Sequence, residues 1–511
     1  MRAQAFTSPL EVSIYVEGLR ARPAFFVGLF LVIHAAIWTL VPWICNPTPD
    51  PRLTIGLAFG REWQLGYLDT PPLAPWLLEI AYRIGSLVAV YALGPLMVAL
   101  AGWLVYLLAR RIVGDRHGAM AVFLMVGVHP VAFPVGAFDS DLVQLPLVAF
   151  VVLAWWHAVV ERNRYAWVAL GAACGLLGYA GVQGALVLVP LLVLTAATAT
   201  GRAALSTNQE QIFAVSGLFL FTLLLTPRMI WLQNHGFAGL MQDMEIPAHE
   251  TARGDATSLA ATVILGHIGF LLIVALASRY FARDREIAPV FMRPPLDPFG
   301  RLLAVVLAFA PPLLAFCAAV LSGGRHPAAA VAPLVLYSGL LVVALTGPAL
   351  IVHRQRSVAV AALALLVLPP LLELSTAFAS PWLERGRSTN WPAREAARYI
   401  TDIYRTRTGW PLEFIVGGKL TASAIALASR DRPRVFIDAD TVEAPWTDRE
   451  AIEKSGAVVV WNIRGANAAP PPSLAEKLPP LVAESPLTLR WARPGNLDFV
   501  RLGWAIIPPK Y

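Results

Sequence analysis

The sequence predicts an α-helical polytopic membrane protein of about 11 transmembrane helices followed by a C-terminal soluble α/β domain. Three observations predict it. First, 57% of the 511 residues are apolar and 14% are charged, where soluble domains carry roughly 45–50% and 25%, and the mean hydropathy is +0.61. Second, the apolar residues fall repeatedly into runs of about 20, the length that crosses a bilayer core. Third, past Ser380 the composition changes: Lys419, Lys454, Lys477 and Lys510 are all the lysines of the chain, and apolar runs shrink to strand length.

The candidate spans are 24–43, 85–108, 118–137, 142–160, 165–179, 182–199, 211–231, 258–278, 302–321, 328–346 and 358–378. The first follows Arg2, Arg20 and Arg22, is too long for a signal-peptide core and has no small-residue cleavage site after it. It is therefore expected to remain as an anchor with the N-terminus in the cytoplasm. Loop charges test this independently, because short cytoplasmic loops retain Lys and Arg. With the N-terminal three, the loops on that side hold sixteen arginines: Arg110, Arg111, Arg116, Arg162, Arg164, Arg202, Arg279, Arg283, Arg285, Arg293, Arg301, Arg354 and Arg356 complete the set. The opposite loops hold six, Arg52, Arg61, Arg83, Arg228, Arg253 and Arg325. An odd number of spans then puts residues 381–511 outside. The net charge of +7 follows from this loop bias, and with no basic helix or aromatic platform a nucleic-acid partner is not expected. Cys45, Cys174 and Cys317 form neither a disulfide framework nor a CxxC metal pair.

In the C-terminal part, 411–418, 434–438 and 456–461 read as buried strands, separated by helical stretches near 420–430 and 447–455. Gly417-Gly418-Lys419 is too short for a phosphate-binding loop, so this domain is expected to recognise an acceptor or act as a lid.

Chemistry is concentrated in the outward loops, of which 44–84 and 232–257 are long. The first contains Asn46-Pro47-Thr48-Pro49-Asp50-Pro51-Arg52 and then Gly60-Arg61-Glu62-Trp63-Gln64-Leu65-Gly66-Tyr67-Leu68-Asp69-Thr70-Pro71-Pro72-Leu73. After it, Trp76 to Arg83 has one apolar side, with Glu79 and Arg83 four residues apart, and predicts a short helix lying along the membrane surface.

These residues resemble the polytopic GT-C glycosyltransferases that use a polyprenyl-phosphate sugar donor, family 39, close to the protein O-mannosyltransferase and lipid A aminoarabinose transferase group. The stretch from Gly60 to Leu73 is similar to that group's G-x-E-W-Q-x-G-Y…H-P-P-L loop, with Thr70 at the His position. Phe138-Asp139-Ser140-Asp141, opening the fourth span, and Thr226-Pro227-Arg228-Met229-Ile230-Trp231-Leu232-Gln233-Asn234-His235-Gly236 extend the likeness. The tail from Arg434 to Trp461 looks like that of a bacterial subset with a C-terminal periplasmic domain. Where many members carry Lys between the fifth and sixth spans, this chain reads Gly178-Tyr179-Ala180-Gly181.

The resemblance implies transfer from a polyprenyl-phosphate-sugar to a glycolipid, polysaccharide or protein acceptor, in one displacement with inversion. A carboxylate of the first outward loop would be the general base on the acceptor hydroxyl, and arginines would stabilise the departing lipid phosphate. Asp50 is the acid that follows the first span and is the expected base; the bland alternative is that it only caps the Pro49-Asp50-Pro51 turn. Glu62, Trp63, Tyr67, Asp69, Asp139 and Asp141 are the expected substrate contacts, although Glu62 could simply pair with Arg61 or Arg83, and Asp139 and Asp141 could simply cap a helix. Arg52, Arg61, Arg228 and Arg325 are the expected lipid-phosphate contacts, with a headgroup anchor as the alternative for Arg228. No cofactor is expected; a divalent ion among His235, Asp243, Glu245, His249 and Glu250 is the alternative left open. A transporter is the opposing class, and spans nearly free of charge beside acid-bearing outward loops favour an enzyme. A relative that binds a lipid-linked sugar without catalysis is the third reading.

Overall fold

The computed structural model describes residues 17–19, 21–68, 70–133, 136–237, 256–278, 290–293, 295–321, 331–463, 468–478 and 481–510. Asp69, Arg325, His326, Asp243, Glu245, His249 and Glu250, together with Arg2, Arg20, Arg253, Arg279, Arg283 and Arg285, lie outside the described residues.

Among the described residues, seven helices are long and apolar enough to span a membrane: Pro23–Cys45, Leu73–Val113, Ser140–Val159, Asn208–Asn234, Ala256–Ala277, Pro298–Leu321 and Gln355–Ala379. Three further candidates coincide with shorter apolar helices, Tyr165–Ala180, Gly184–Ala197 and Ala332–Leu345. The remaining one, 118–137, is broken into Asp115–Leu124, a 3-10 turn Met125–Gly127 and His129–Ala132. Pro130 lacks the amide that would continue a single helix through this stretch.

We label α1 Pro23–Cys45, α2 Pro51–Gly60 and α3 Leu73–Val113. The surface helix expected over 76–83 is the first part of α3, which turns at Gly85 and Ser86, where φ is −141° and +53°. Helix α4 (Ser140–Val159) is the most enclosed of the seven, and packs against α3 and against α5 (Tyr165–Ala180). Helix α6 (Asn208–Asn234) starts at a capping box formed by Thr207 and Glu210. It meets α5 so closely that a Cβ on Gly171 would stand 1.9 Å from the Gly217 carbonyl oxygen, the small-residue contact that lets two membrane helices approach.

Contacts sort the loops onto two ends. At one, Arg111 pairs with Glu161 at 2.7 Å and Arg162 with Glu210 at 2.9 Å. At the other, Arg52 reaches Asp139, Arg228 reaches Leu65, and Arg434 reaches Glu62. The loop set expected to share the outward face does converge on one end.

After α7 (Gln355–Ala379) come α8 (Ala393–Thr408) and a five-stranded sheet. With β1 (Val290–Met292) and β2 (Ala349–Ile351) forming a small antiparallel pair, the sheet strands are β3 (Phe414–Gly417), β4 (Arg434–Ile437), β5 (Ala457–Asn462), β6 (Leu487–Leu489) and β7 (Val500–Ile507). Their order is β4-β3-β5-β7-β6; β3 is parallel to β4 and β5, and β7 is antiparallel to β5 and β6. Helices α9 (Lys419–Ala428) and α10 (Arg449–Ser455) make the crossovers. Residues alternate between two cores with period two: Ile415, Val458 and Val460 face Ala396 and Ile400 of α8, whereas Phe414, Val416 and Val459 face Ile452 and Leu474. The first of these cores also takes in Phe59 and Tyr67 of the 44–84 loop.

Candidate active site

The 44–84 loop is built by short-range chemistry. Asp50 caps α2: its Oδ1 accepts the Arg52 backbone amide at 2.9 Å, with Pro51 at the first helical position, where its missing amide costs nothing. The same Oδ1 accepts Arg52 Nε at 3.4 Å, and Arg52 Nη1 donates to Asp139 Oδ2 at 2.8 Å. Asp139 in turn caps α4 by accepting the Asp141 amide at 3.1 Å. One guanidinium therefore bridges the caps of two helices. The Asp50 and Asp139 side chains remain 23% and 28% exposed, so the bridge faces open space, and Asp50 Oδ2 has no partner among the described residues. Burial works against the Arg52 charge, but Asp139 and Asp50 outweigh it and hold the guanidinium above its ordinary range.

Glu62 lies elsewhere. It is bound by Arg434 at the start of β4, with Nε at 3.0 and 3.1 Å from its two oxygens and Nη2 at 2.5 Å, rather than by Arg61 or Arg83. Arg434 also donates to the Trp446 carbonyl at 3.0 Å, and its Glu62 bond holds it further towards the charged state. Glu79, 1% exposed, takes Arg83 at 2.7 Å, the expected i,i+4 pair, and also Arg432. The Arg432 guanidinium lies 4.1 Å from the Tyr82 ring centroid.

Tyr67 is buried. Its hydroxyl donates to the Phe59 carbonyl at 2.7 Å and its ring stacks on Phe59 at 4.8 Å, with Trp446 edge-on to both. Burial raises its pKa, so it stays a neutral phenol. Trp63, at φ +49° and 43% exposed, stacks on Trp76 at 6.5 Å beneath Arg83. Arg61, at the C-terminal end of α2, is held below its ordinary range by burial first and by Arg432 next. It lines a small cavity with Ser423 and Arg432, of about 10 Å³, room for about one water.

Arg228 is buried near the C-terminal end of α6; its Nη1 donates to the Leu65 carbonyl at 2.8 Å and its guanidinium lies over Trp231. This holds the 60–67 loop against α6, and Gly66 is where the two meet: a Cβ there would stand 1.8 Å from Arg228 Nη1 and 2.3 Å from the Trp231 ring. Gly66→Ala is expected to cost about 1–3 kcal/mol as an overpacking change and to displace the loop, which thermal unfolding of the purified protein and a transfer assay would measure together. His235 stacks on Trp231 at 4.1 Å, and among the described residues no three potential metal ligands cluster.

The structure thus joins Asp50, Arg52, Asp139 and Asp141 in one place, Glu62, Tyr67 and Arg61 in the seam towards the sheet, and Arg228 under the loop. Sequence reasoning missed Arg432 and Arg434; their one local signal is a pair of arginines flanking Pro433 at the entrance to β4.

This geometry is that of a multi-pass membrane protein with an acid-bearing site at one end of its bundle, roofed by an α/β sheet. Residues 69–231 match the family described as dolichyl-phosphate-mannose-protein mannosyltransferase. Among solved structures, the crystal structure of ArnT from Cupriavidus metallidurans bound to undecaprenyl phosphate superposes with a TM-score of 0.56 at 14% identity, over 94% of this chain and 98% of that one. The apo form of the same protein gives 0.54 at 14% identity, over 95% and 98%. No curated protein matches in sequence. The chain has the fold of ArnT, and its residues 69–231 resemble the mannosyltransferase family.

Proposed function

We propose that this protein is a membrane glycosyltransferase of the GT-C type that moves a sugar from a polyprenyl-phosphate-linked donor to an extracytoplasmic acceptor, a glycolipid, polysaccharide or protein, by a single displacement with inversion. The observation that carries the reading is the Asp50–Arg52–Asp139 bridge. Oδ1 of Asp50 is engaged twice by Arg52 while Oδ2 is left without a partner among the described residues, which is how a carboxylate is aimed at an acceptor proton. The hydroxyl oxygen attacks the anomeric carbon as Asp50 takes its proton, and the bond to the phosphate oxygen breaks with its electron pair. Asp139 and Asp141 stand across Arg52 from the base and would contact sugar hydroxyls, and Trp63 with Trp76 offers an exposed aromatic face at the loop's edge. The seam positions of Glu62 and Tyr67 and the buried position of Arg228 under the loop support a scaffold role for these three. The ArnT crystal form that holds undecaprenyl phosphate supports a polyprenyl phosphate as the lipid ligand here.

In this reading residues 1–380 form the catalytic membrane part and residues 381–511 a periplasmic domain. The protein sits in a bacterial inner membrane with its N-terminus in the cytoplasm, as the arginine bias of the loops supports. The test is sugar transfer by purified protein in detergent, with a panel of polyprenyl-phosphate sugars and membrane-extract acceptors. Turnover on one donor supports the assignment; donor binding without turnover on any would replace it with a non-catalytic lipid-sugar-binding relative.

A further inference from the structure

The charge at the proposed site does not balance for an anionic leaving group. Asp50 and Asp139, two carboxylates, share a single guanidinium, that of Arg52. A lipid phosphate arriving there meets net negative charge unless another cation faces it. Of the arginines expected to serve, Arg228 is buried on the Leu65 carbonyl and Trp231, Arg61 is half-buried in the seam beside Arg432, and Arg325 is outside the described residues.

The C-terminal part supplies a different one. Two hydrogen bonds place residues 389–391 on the Asp50 loop: the Thr48 amide donates to the Thr389 carbonyl at 3.0 Å, and the Thr48 hydroxyl to the Trp391 carbonyl at 2.6 Å. Arg394 follows three residues later in the first turn of α8. It is exposed and forms no ion pair among the described residues. Asp50 and Arg394 both lie within electrostatic range of the Tyr91 hydroxyl, which Asn46 also flanks. Tyr91 itself is 3% exposed on α3. In the two segments that the Thr48 bonds join, Asn46 Oδ1 and Thr389 Oγ1, in residues 8% and 4% exposed, have no partner among the described residues. They are free to bind the water or hydroxyls that accompany a polar ligand.

We infer that Arg394 is a donor-phosphate contact, so that the anionic headgroup of a polyprenyl phosphate is held between Arg52 of the membrane part and Arg394 of the C-terminal part. This rests on the donor proposed above. It makes the sheet-bearing part a wall of the site, where the sequence suggests an acceptor-recognition domain or a lid. A planar guanidinium suits the task, since it can give two parallel hydrogen bonds to phosphate oxygens as negative charge builds on them.

The experiment titrates undecaprenyl phosphate, and undecaprenol as its uncharged counterpart, into the full-length protein in detergent, read by tryptophan fluorescence. Wild type, Arg394→Ala, Arg394→Lys and Arg398→Ala are compared, the last removing a charge one turn further along α8. Thermal unfolding checks that each variant is folded. Wild type is expected to prefer the phosphate. Arg394→Ala is expected to lose about tenfold or more in phosphate affinity, the scale of a charged hydrogen-bonded contact, with Arg394→Lys intermediate and Arg398→Ala unchanged. Equal phosphate affinity in wild type and Arg394→Ala overturns the inference and leaves the donor reading standing, as does an equal loss in Arg398→Ala, which would signal a diffuse field. Wild type that does not distinguish undecaprenyl phosphate from undecaprenol overturns the donor reading and the inference with it.

Discussion

Asp50→Asn is expected to lower the turnover number by a factor of about 10²–10⁴, the usual contribution of a positioned general base, while affinity for undecaprenyl phosphate stays within about twofold of wild type. Asparagine is chosen because the side chain has two roles. Asp50 caps α2 through Oδ1, and asparagine caps a helix about as well as aspartate. What it lacks is the capacity to take a proton at Oδ2. Asp50→Ala removes both functions and is expected to destabilise the fold by a further ~1 kcal/mol from the cap, so the pair of variants separates chemistry from folding. Asp139→Asn is the matched control, since Asp139 also caps a helix and also binds Arg52. A single-turnover assay with enzyme in excess over donor reads all three. Full activity in Asp50→Asn with loss in Asp139→Asn would move the base to the second carboxylate.

The two candidate carboxylates were legible in the sequence for a physical reason. Capping acids stand at loop–helix boundaries, and an apolar run that begins after Pro51 or Ser140 marks such a boundary without any tertiary information. The parallel strands were legible for a similar reason, because a strand buried on both faces reads as a continuous apolar run, as in Ala457–Asn462. The partners were not. Arg434 is 372 residues from Glu62 and Arg394 lies 344 beyond Asp50 in number, and no local pattern carries information over that distance. Charge economy misled in the same way: Glu62 had arginines nearby in sequence, but the fold delivers Arg434 from across the seam. The antiparallel strands β6 and β7 escaped because Leu487–Leu489 is three residues long and Val500–Ile507 is interrupted by Arg501 and Gly503, which dilutes the apolar signal. Gly66 looked like one more glycine of a family-like loop; only the approach of Arg228 and Trp231 reveals why a side chain has no place there.

Removing both cations of the seam, with Arg432→Ala and Arg434→Ala in one protein, is expected to loosen the sheet from the membrane part and to lower transfer more than tenfold. The reason is where the acids are left. Glu62 and Glu79 are 5% and 1% exposed, and stripping a partner from a buried carboxylate costs about 3–5 kcal/mol when the pair is fully enclosed. Here the Arg434 and Arg432 side chains are 36% and 23% exposed, so water softens the loss to roughly 1–3 kcal/mol for each. Glu79 retains Arg83, so Arg434→Ala is expected to be the more damaging single change. The aromatic contact of Phe59 and Tyr67 with Trp446 remains, and burying such rings is worth about 1.5–3 kcal/mol apiece, so the interface should open partially rather than separate. Limited proteolysis in the 380–393 connection measures this opening, with the double variant cut faster than either single one. The same opening carries Arg394 away from Asp50 through Thr48, Thr389 and Trp391. The double variant is therefore expected to lose undecaprenyl phosphate affinity although neither substituted arginine lies beside the base. A double variant that resists proteolysis like wild type would mean that the aromatic contact alone holds the two parts together.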